Sequence, residues 1–408
     1  MDSRIVVIGA GMAGARLARQ LAPACDVTLL GEEPHAPYNR VLLADVLAGR
    51  YGPEVIALPP VPDGTAEVRR GVRAVRIDRE TRTVHCADGS SAVYDRLVLA
   101  TGSNPVLPPL RGLDGGLPDG VRPFRTLDDC LALAAAARPG GRAVVVGGGL
   151  LGVSAARALA ERGTDVVVAH QGPTLMDRHL DPEAGGLVRR HLEELGVEVH
   201  TECHARGLRH RGGSVTGVEL ADGFVLGADH VVLACGVRPR TGLAADAGLT
   251  VRRGVVVDDT LTTSDPYIHA IGDCAEHAGT VYGLATPALE QADVLAAVLA
   301  APAVRGQGPG TPRYTGTRSL TRLTLGSAGA FDVAAFGEPA PRPGDDVVRL
   351  ADATRGAYRK VVVRGDRLVG GVLLGDLASV GALARAWEGD DPLPEAPLLH
   401  LLTTDGGL

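Results

Sequence analysis

Clustered cysteines, long apolar runs and an excess of basic charge are all missing from this sequence. Its six cysteines, Cys25, Cys86, Cys130, Cys203, Cys235 and Cys274, are scattered with no CxxC and no short pairing. That fits a reducing compartment better than a disulfide framework, so a cytoplasmic location is expected. No apolar run approaches the roughly 18 residues of a membrane-spanning helix, and none is expected. MDSRIVVIGAG opens a strand pattern at once, without a basic stretch leading into an apolar one, so no secretory signal is expected. The net charge of −7 argues against general nucleic-acid binding, which concentrates basic residues on one surface. Aromatic residues make up only 3%, while glycine numbers 55. With glycine this common, a single glycine carries weight only inside a motif.

What is present is ordinary for a globular chain: 45% hydrophobic and 22% charged residues over 408 positions, enough for roughly two to four domains. Ile5–Ile8 reads as a buried parallel strand, Met12–Leu21 as a helix and Asp26–Leu30 as the next strand. The same unit recurs with Arg142–Val146, a helix over Val153–Arg162, and Asp165–Ala169. Further strands are expected over Val68–Ile77, Thr81–Cys86, Arg96–Ala100 and Tyr267–Ile271. Pro105–Gly116 and Cys235–Gly242 read as crossings out of and back into the first domain. Ala301–Pro312 reads as a linker to a third unit, with strands at Arg322–Leu325, Tyr358–Val363 and Leu368–Leu374 and a helix near Leu377–Trp387.

Gly9-x-Gly11-x-x-Gly14 lies between a strand and a helix. Gly9 permits the tight turn, Gly11 lets the backbone approach a pyrophosphate, and Gly14 lets helix and strand pack closely. The pyrophosphate would then meet the positive end of the helix dipole. Glu32 stands where a carboxylate accepts hydrogen bonds from a ribose. Gly147-x-Gly149-x-x-Gly152 repeats the arrangement, but His170 occupies the position matching Glu32. A carboxylate there would bind ribose hydroxyls and repel a 2′-phosphate. A protonated imidazole could attract that phosphate and a neutral one would be indifferent, so no strong preference for NADH over NADPH is expected. Ala100-Thr101-Gly102 ends a buried strand, and Gly272-Asp273 follows another, at the strand ends where open α/β sheets bind ligands. Thr286-Pro287 reads as cap and first residue of a helix whose N-terminus could face an anionic flavin.

Together these segments resemble the two-dinucleotide-domain flavoprotein reductases. The resemblance is closer still to the FAD-binding N-terminal part of the NAD(P)H-dependent nitrite reductase large subunit and, equally, to the electron-transfer subunit of assimilatory nitrate reductase. YNRVLLADVLAG, VVGGGLLG, GVRPRTGLA, LTTSDPYIHAIGDCAE, VYGLATPALEQA, YRKVVV and LVGGVLLGD carry it along nearly the whole chain. The resemblance implies an α/β fold with two Rossmann-like dinucleotide-binding domains plus a C-terminal α+β domain. The expected divisions are 1–112 and 241–311 for the FAD-binding domain, 113–240 for the NAD(P)H-binding domain and 312–408 for the last. It implies that Gly9, Gly11, Gly14 and Glu32 hold the adenosine diphosphate part of FAD. Arg40, Thr101, Gly102 and Asp273 would contact flavin, ribityl or phosphate groups, with Met12, Ala13, Glu33, Ala100 and Gly272 beside them. Gly147, Gly149 and Gly152 would hold NADH or NADPH. His170 departs from the usual Glu, and Ser154 from another Glu common on the second helix. The iron–sulfur and sirohaem parts of a full nitrite reductase are not in this sequence, so nitrite reduction is not assigned to it.

Many flavoproteins of this kind carry a redox-active cysteine in the segment that here reads HAPYNRVLLADVLAG. Without one, a dithiol relay has no vehicle. The expected reaction is hydride transfer from NAD(P)H to FAD and electron transfer to a separate acceptor, a ferredoxin-type protein or a nitrite or nitrate reductase partner. A flavoenzyme acting on a small metabolite and a non-catalytic FAD-binding redox sensor are the alternatives. The cluster His200, Cys203, His204 and His210 matches no zinc spacing, so no metal is expected. Cys274 is expected to be a small buried residue. Arg69, Arg70, Arg73 and Arg76 read as a solvated strand edge, with an acidic docking patch as the alternative.

Overall fold

The computed structural model describes residues 3–62, 66–300, 312–318, 320–326, 331–352, 356–375, 377, 380–389, 392–393 and 402. The linker expected at Ala301–Pro312 lies outside them except for Pro312. The chain forms two compact units. One comprises residues 1–43, 51–104 and 237–317, and the other residues 44–50, 105–236 and 318–408.

The first unit is built on a parallel five-stranded sheet in the order Ile268–Ala270, Arg96–Leu99, Arg4–Ile8, Asp26–Gly31, Ala66–Arg70. The central strands are continuous β-branched and leucine runs because both faces are covered. Ile5, Val7, Val27, Leu29, Leu97 and Val98 are all buried in one core. The helices Met12–Leu21 and Ala285–Ala300 pack together and are tied by Asp293, which accepts from Arg16 at 2.5 Å and Gln20 at 2.6 Å. The single strand expected over Val68–Ile77 is two strands, Ala66–Arg70 and Ala74–Asp78, in different sheets. The break falls at Gly71, whose φ of +70° turns the chain in a region other residues avoid.

The second unit repeats the plan with a parallel sheet in the order Glu198–His200, Asp165–Ala169, Arg142–Val146, His230–Leu233, Val121–Pro123. Its nucleotide helix runs Leu150–Glu161. It starts three residues before the expected Val153, because Gly149 is already the cap. This unit also holds an antiparallel sheet in the order Thr321–Thr324, Asp332–Gly337, Arg367–Gly375, Ala357–Arg364, Asp346–Asp352, against which helix Val380–Gly389 packs. Lys360, the single lysine of the sequence, is buried on that sheet and donates to Asp181 at 2.8 Å. Tyr358 Oη donates to the same carboxylate at 2.9 Å, and Asp181 also caps helix Pro182–Glu194 through the Ala184 N–H. Among the described residues, no helix is long and apolar enough to cross a membrane.

Candidate functional site

Each unit presents the same glycine turn at the C-terminal end of its central strand. In the first, Gly9 has φ +115° and its N–H donates to the Leu30 carbonyl at 2.8 Å. A Cβ on Gly9 would stand 2.1 Å from the Ala100 carbonyl oxygen, and one on Gly14 would stand 1.9 Å from the Gly9 carbonyl oxygen. Both glycines are therefore forced by backbone approaching backbone. Gly11 differs, since a Cβ there would meet nothing within 4 Å. It caps helix Met12–Leu21 without a side-chain hydrogen bond, and no acidic residue lies in the first turn. Met12 and Ala13 follow in that turn, so its N–H groups face an opening with neither a capping side chain nor a carboxylate. That is the environment a pyrophosphate needs.

The remaining residues expected at this site converge on the same sheet end. Glu32 pairs with Arg240, and Arg240 also donates through Nε to the Asn104 side chain. The Arg240 N–H donates to the Gly102 carbonyl at 2.9 Å, and its carbonyl accepts from Thr101 Oγ1 at 2.9 Å. Arg240 thus joins Glu32 to the Ala100–Gly102 turn, a role that sequence reading missed. Its only signal was a place in the returning crossing GVRPRTG. Asp273 accepts from Ser103 Oγ at 2.8 Å. Gly272, with φ +75°, donates to Gln291 Oε1 of the helix Ala285–Ala300 at 2.7 Å. Glu33 accepts from Tyr38 Oη and from Arg40, both at 2.7 Å, and Arg40 lies 5.0 Å from the centre of the Tyr38 ring. Thr286 is not the helix cap expected of it. The helix already begins at Ala285, so Thr286 and Pro287 lie inside the first turn. Proline is tolerated there because first-turn N–H groups have no intrahelical partner.

The second turn is nearly superposable in its logic. Gly147 has φ +115°, and its Cβ would stand 2.4 Å from the Ala234 carbonyl oxygen. A Cβ on Gly152 would stand 1.8 Å from the Gly147 carbonyl oxygen, while Gly149 is open. Gly149 caps Leu150–Glu161 without a side-chain bond and without a first-turn acid. Ser154 spends its hydroxyl on the Leu150 carbonyl at 2.7 Å. His170, at the position matching Glu32, is turned inward. It is 8% exposed and its Nδ1 accepts from the Gly148 N–H at 3.1 Å. Burial holds its pKa below the ordinary imidazole value, against the opposing pull of Asp177. The protonated imidazole considered for a 2′-phosphate is therefore not the state this site favours.

Cys274 is buried, its Sγ donating to the Leu99 and Ile271 carbonyls at 3.3 Å, and burial pushes the thiol up. His200 Nε2 meets Glu198 at 2.7 Å, and Cys203 donates to the His200 carbonyl. Among the described residues, no group of three or more His, Cys, Asp or Glu side chains could hold a metal ion. Arg69 pairs with Glu67 at 2.8 Å, and Arg76 with Asp78 at 3.4 Å.

Two dinucleotide cradles in one chain match a known family. Residues 3–292 match the pyridine nucleotide-disulphide oxidoreductase model, and residues 327–388 match the rubredoxin NAD+ reductase C-terminal domain. The chain belongs to the pyridine nucleotide-disulphide oxidoreductase family. It is 35% identical over 406 residues to the nitrite reductase [NAD(P)H] of Bacillus subtilis (strain 168), covering 98% of this chain and 49% of that protein. It is 34% identical over 380 residues to the assimilatory nitrate reductase electron transfer subunit of the same organism, covering 91% and 48%. The chain spans about half the length of these curated relatives. In fold it is similar to the ferredoxin reductase for the CYP199A2 system from Rhodopseudomonas palustris, with a TM-score of 0.85 at 28% identity, covering 96% of each chain. FAD and NAD(P)H, the dinucleotides of this family of oxidoreductases, fit the two cradles: each is open at the middle glycine, uncapped and free of first-turn carboxylates.

Proposed function

We infer that this chain is an FAD-dependent NAD(P)H oxidoreductase that passes electrons to a separate redox protein, of the ferredoxin type or a nitrite or nitrate reductase partner, in the cytoplasm. The observation that carries this reading is the coexistence of two open dinucleotide cradles with thiols held by burial. Burial pushes Cys130 up to about 12 and Cys235 up to about 11, and it raises Cys203 and Cys274 as well. FAD, when bound, accepts a hydride from the nicotinamide and can release electrons singly.

The chain's own residues bind and orient. Gly9, Gly11 and Gly14, with Met12 and Ala13, would hold the FAD pyrophosphate, and Glu32 its ribose. Ala100, Thr101, Gly102, Gly272 and Asp273 would line the ribityl and flavin side, with Glu33, Arg40, Thr286 and Pro287 nearby. Gly147, Gly149 and Gly152 would hold NAD(P)H. His170 would support that turn from behind through Gly148. On this reading the FAD-binding domain comprises 1–112 and 241–311, the NAD(P)H-binding domain 113–240, and the C-terminal domain 312–408.

The purified chain is expected to be yellow, with about one FAD per chain. Its flavin absorbance should bleach on anaerobic mixing with NADH or NADPH and return on adding an oxidised ferredoxin. A folded chain that cannot be loaded with FAD overturns the reading. Bleaching without return to any one-electron acceptor overturns its second half.

A further inference from the structure

We propose that Asp177 is the carboxylate that reads the adenosine ribose of the nicotinamide nucleotide, and that it makes this chain select NADH over NADPH. The inference rests on the reading that the second cradle takes NAD(P)H.

In a Rossmann unit the ribose-binding acid ends the second strand. Here that strand, Asp165–Ala169, is followed by His170, and everything His170 offers is engaged locally. Its backbone N–H donates to the His200 carbonyl at 2.8 Å, and its carbonyl accepts from the Cys203 N–H at 3.0 Å. Its Nδ1 accepts from Gly148, so that nitrogen carries no proton and the neutral ring carries its proton on Nε2. Nε2 is enclosed, with the Thr174 backbone beside the ring. The nearest charged atom recorded for it is Asp177 Oδ1 at 3.9 Å, too far for a hydrogen bond but close enough for an oriented N–H dipole to favour the carboxylate.

The loop that brings Asp177 there is anchored to the cradle itself. Met176, buried and held at φ +55°, donates its N–H to the Gly148 carbonyl at 2.8 Å. A non-glycine residue in that region costs free energy and persists only where its surroundings impose it. The residue next in sequence is therefore delivered to the glycine turn. Gly172 leaves the space that the carboxylate uses: a Cβ there would stand 2.4 Å from Asp177 Oδ2 and 2.7 Å from His170 Nε2. The Asp177 side chain is 38% exposed, so it is backed by a neutral ring on one side and open on the other. A carboxylate so placed accepts from ribose hydroxyls and repels a 2′-phosphate. Arg178, exposed beside it, is the residue that would work in the opposite direction.

The test uses FAD-loaded protein and calorimetric titration with ADP-ribose and its 2′-phosphate, which bind without turnover. Wild type should bind ADP-ribose about tenfold or more tightly than the phosphate. Asp177→Asn should weaken ADP-ribose about tenfold and close the gap. Asp177→Arg should reverse it, and Arg178→Ala should leave the order unchanged. An unchanged ratio in Asp177→Asn overturns the proposal. So does a wild type that prefers the phosphate and loses that preference in Arg178→Ala. If neither ligand binds wild type, the assignment of the second cradle falls too, a result distinct from the other two.

Discussion

Gly11 and Gly14 stand one helical turn apart and should fail differently when given a side chain. Gly14→Ala drives a Cβ to 1.9 Å from the Gly9 carbonyl oxygen, so helix and strand must separate. Denaturant unfolding of the apoprotein should show a loss of roughly 1–3 kcal/mol. Gly11→Val points into open space and should cost the fold less than about 1 kcal/mol, yet abolish FAD binding in a titration followed by flavin fluorescence. Equal unfolding losses in the two variants would contradict this division of roles. His269 carries a pH expectation. It is buried, hydrogen-bonded through Nδ1 to Thr262 at 3.2 Å, and desolvation lowers its pKa to about 4. The unfolded chain therefore takes up a proton at this residue between about 6.5 and 4 while the folded chain does not. Its contribution is full above pH 6.5 and is lost as pH falls toward 4, by roughly 3 kcal/mol. Urea unfolding at pH 7 and pH 4.5 should show a drop that His269→Gln lacks. The glycine fingerprints were legible in sequence because their spacing records local backbone sterics. Arg240 and Asp177 were not. Arg240 meets Glu32 from 208 residues away, and Asp177 reaches the cradle only through the turn at Met176.

The segment HAPYNRVLLADVLAG, read for its missing cysteine, turns out to be an anchored element. Its helix Leu43–Ala48 sends Asp45 to Arg157 at 3.1 Å and to Arg50 at 3.3 Å, while Arg50 also meets Glu161 at 2.7 Å. Arg162 donates to the Leu47 carbonyl at 3.3 Å. Arg157 is 1% exposed, and a charge so buried depends on its partners. Arg157 also pairs with Glu161 at 3.4 Å, so losing Asp45 leaves it one carboxylate in place of two. Asp45→Ala should therefore cost roughly 1.5–3 kcal/mol in denaturant unfolding, with Asp45→Asn recovering part of it. A loss under about 0.5 kcal/mol, the range of an ordinary surface substitution, would show that the network adds nothing. Nothing in the local pattern announced this helix, because its anchor comes from the second nucleotide unit. The same holds for Asp332–Gly337 and Asp346–Asp352, which carried no expectation. The first, DVAAFG, is buried on both faces and so does not alternate, and the second, DVVRLAD, is mostly exposed. Met12–Leu21, by contrast, was legible in sequence, since a glycine turn and an apolar stripe mark it out.

At the scale of the whole molecule the question is how electrons leave. A hydride brings two electrons together, and an iron–sulfur or haem acceptor takes them one at a time. A disulfide acceptor instead needs a protein thiolate to attack it and form a mixed disulfide. Most of the chain's thiols are disfavoured for that role. Cys86, Cys130 and Cys274 are buried, and the thiols of Cys130, Cys203, Cys235 and Cys274 are all pushed up by burial. Leu42 and Leu43 stand in the segment where a redox cysteine would be placed. A protonated, enclosed thiol is a poor nucleophile. The FAD-loaded chain should therefore reduce ferricyanide or a ferredoxin at the expense of NADH or NADPH, one two-electron donor serving a pair of one-electron acceptors. It should show little activity on glutathione disulfide or coenzyme A disulfide. Replacing all six cysteines by serine or alanine should leave the ferricyanide rate within a few-fold, with circular dichroism and flavin content confirming that the variant is folded and loaded. If that folded, loaded variant loses the rate, a thiol lies on the electron path, and restoring single cysteines would show which one carries it.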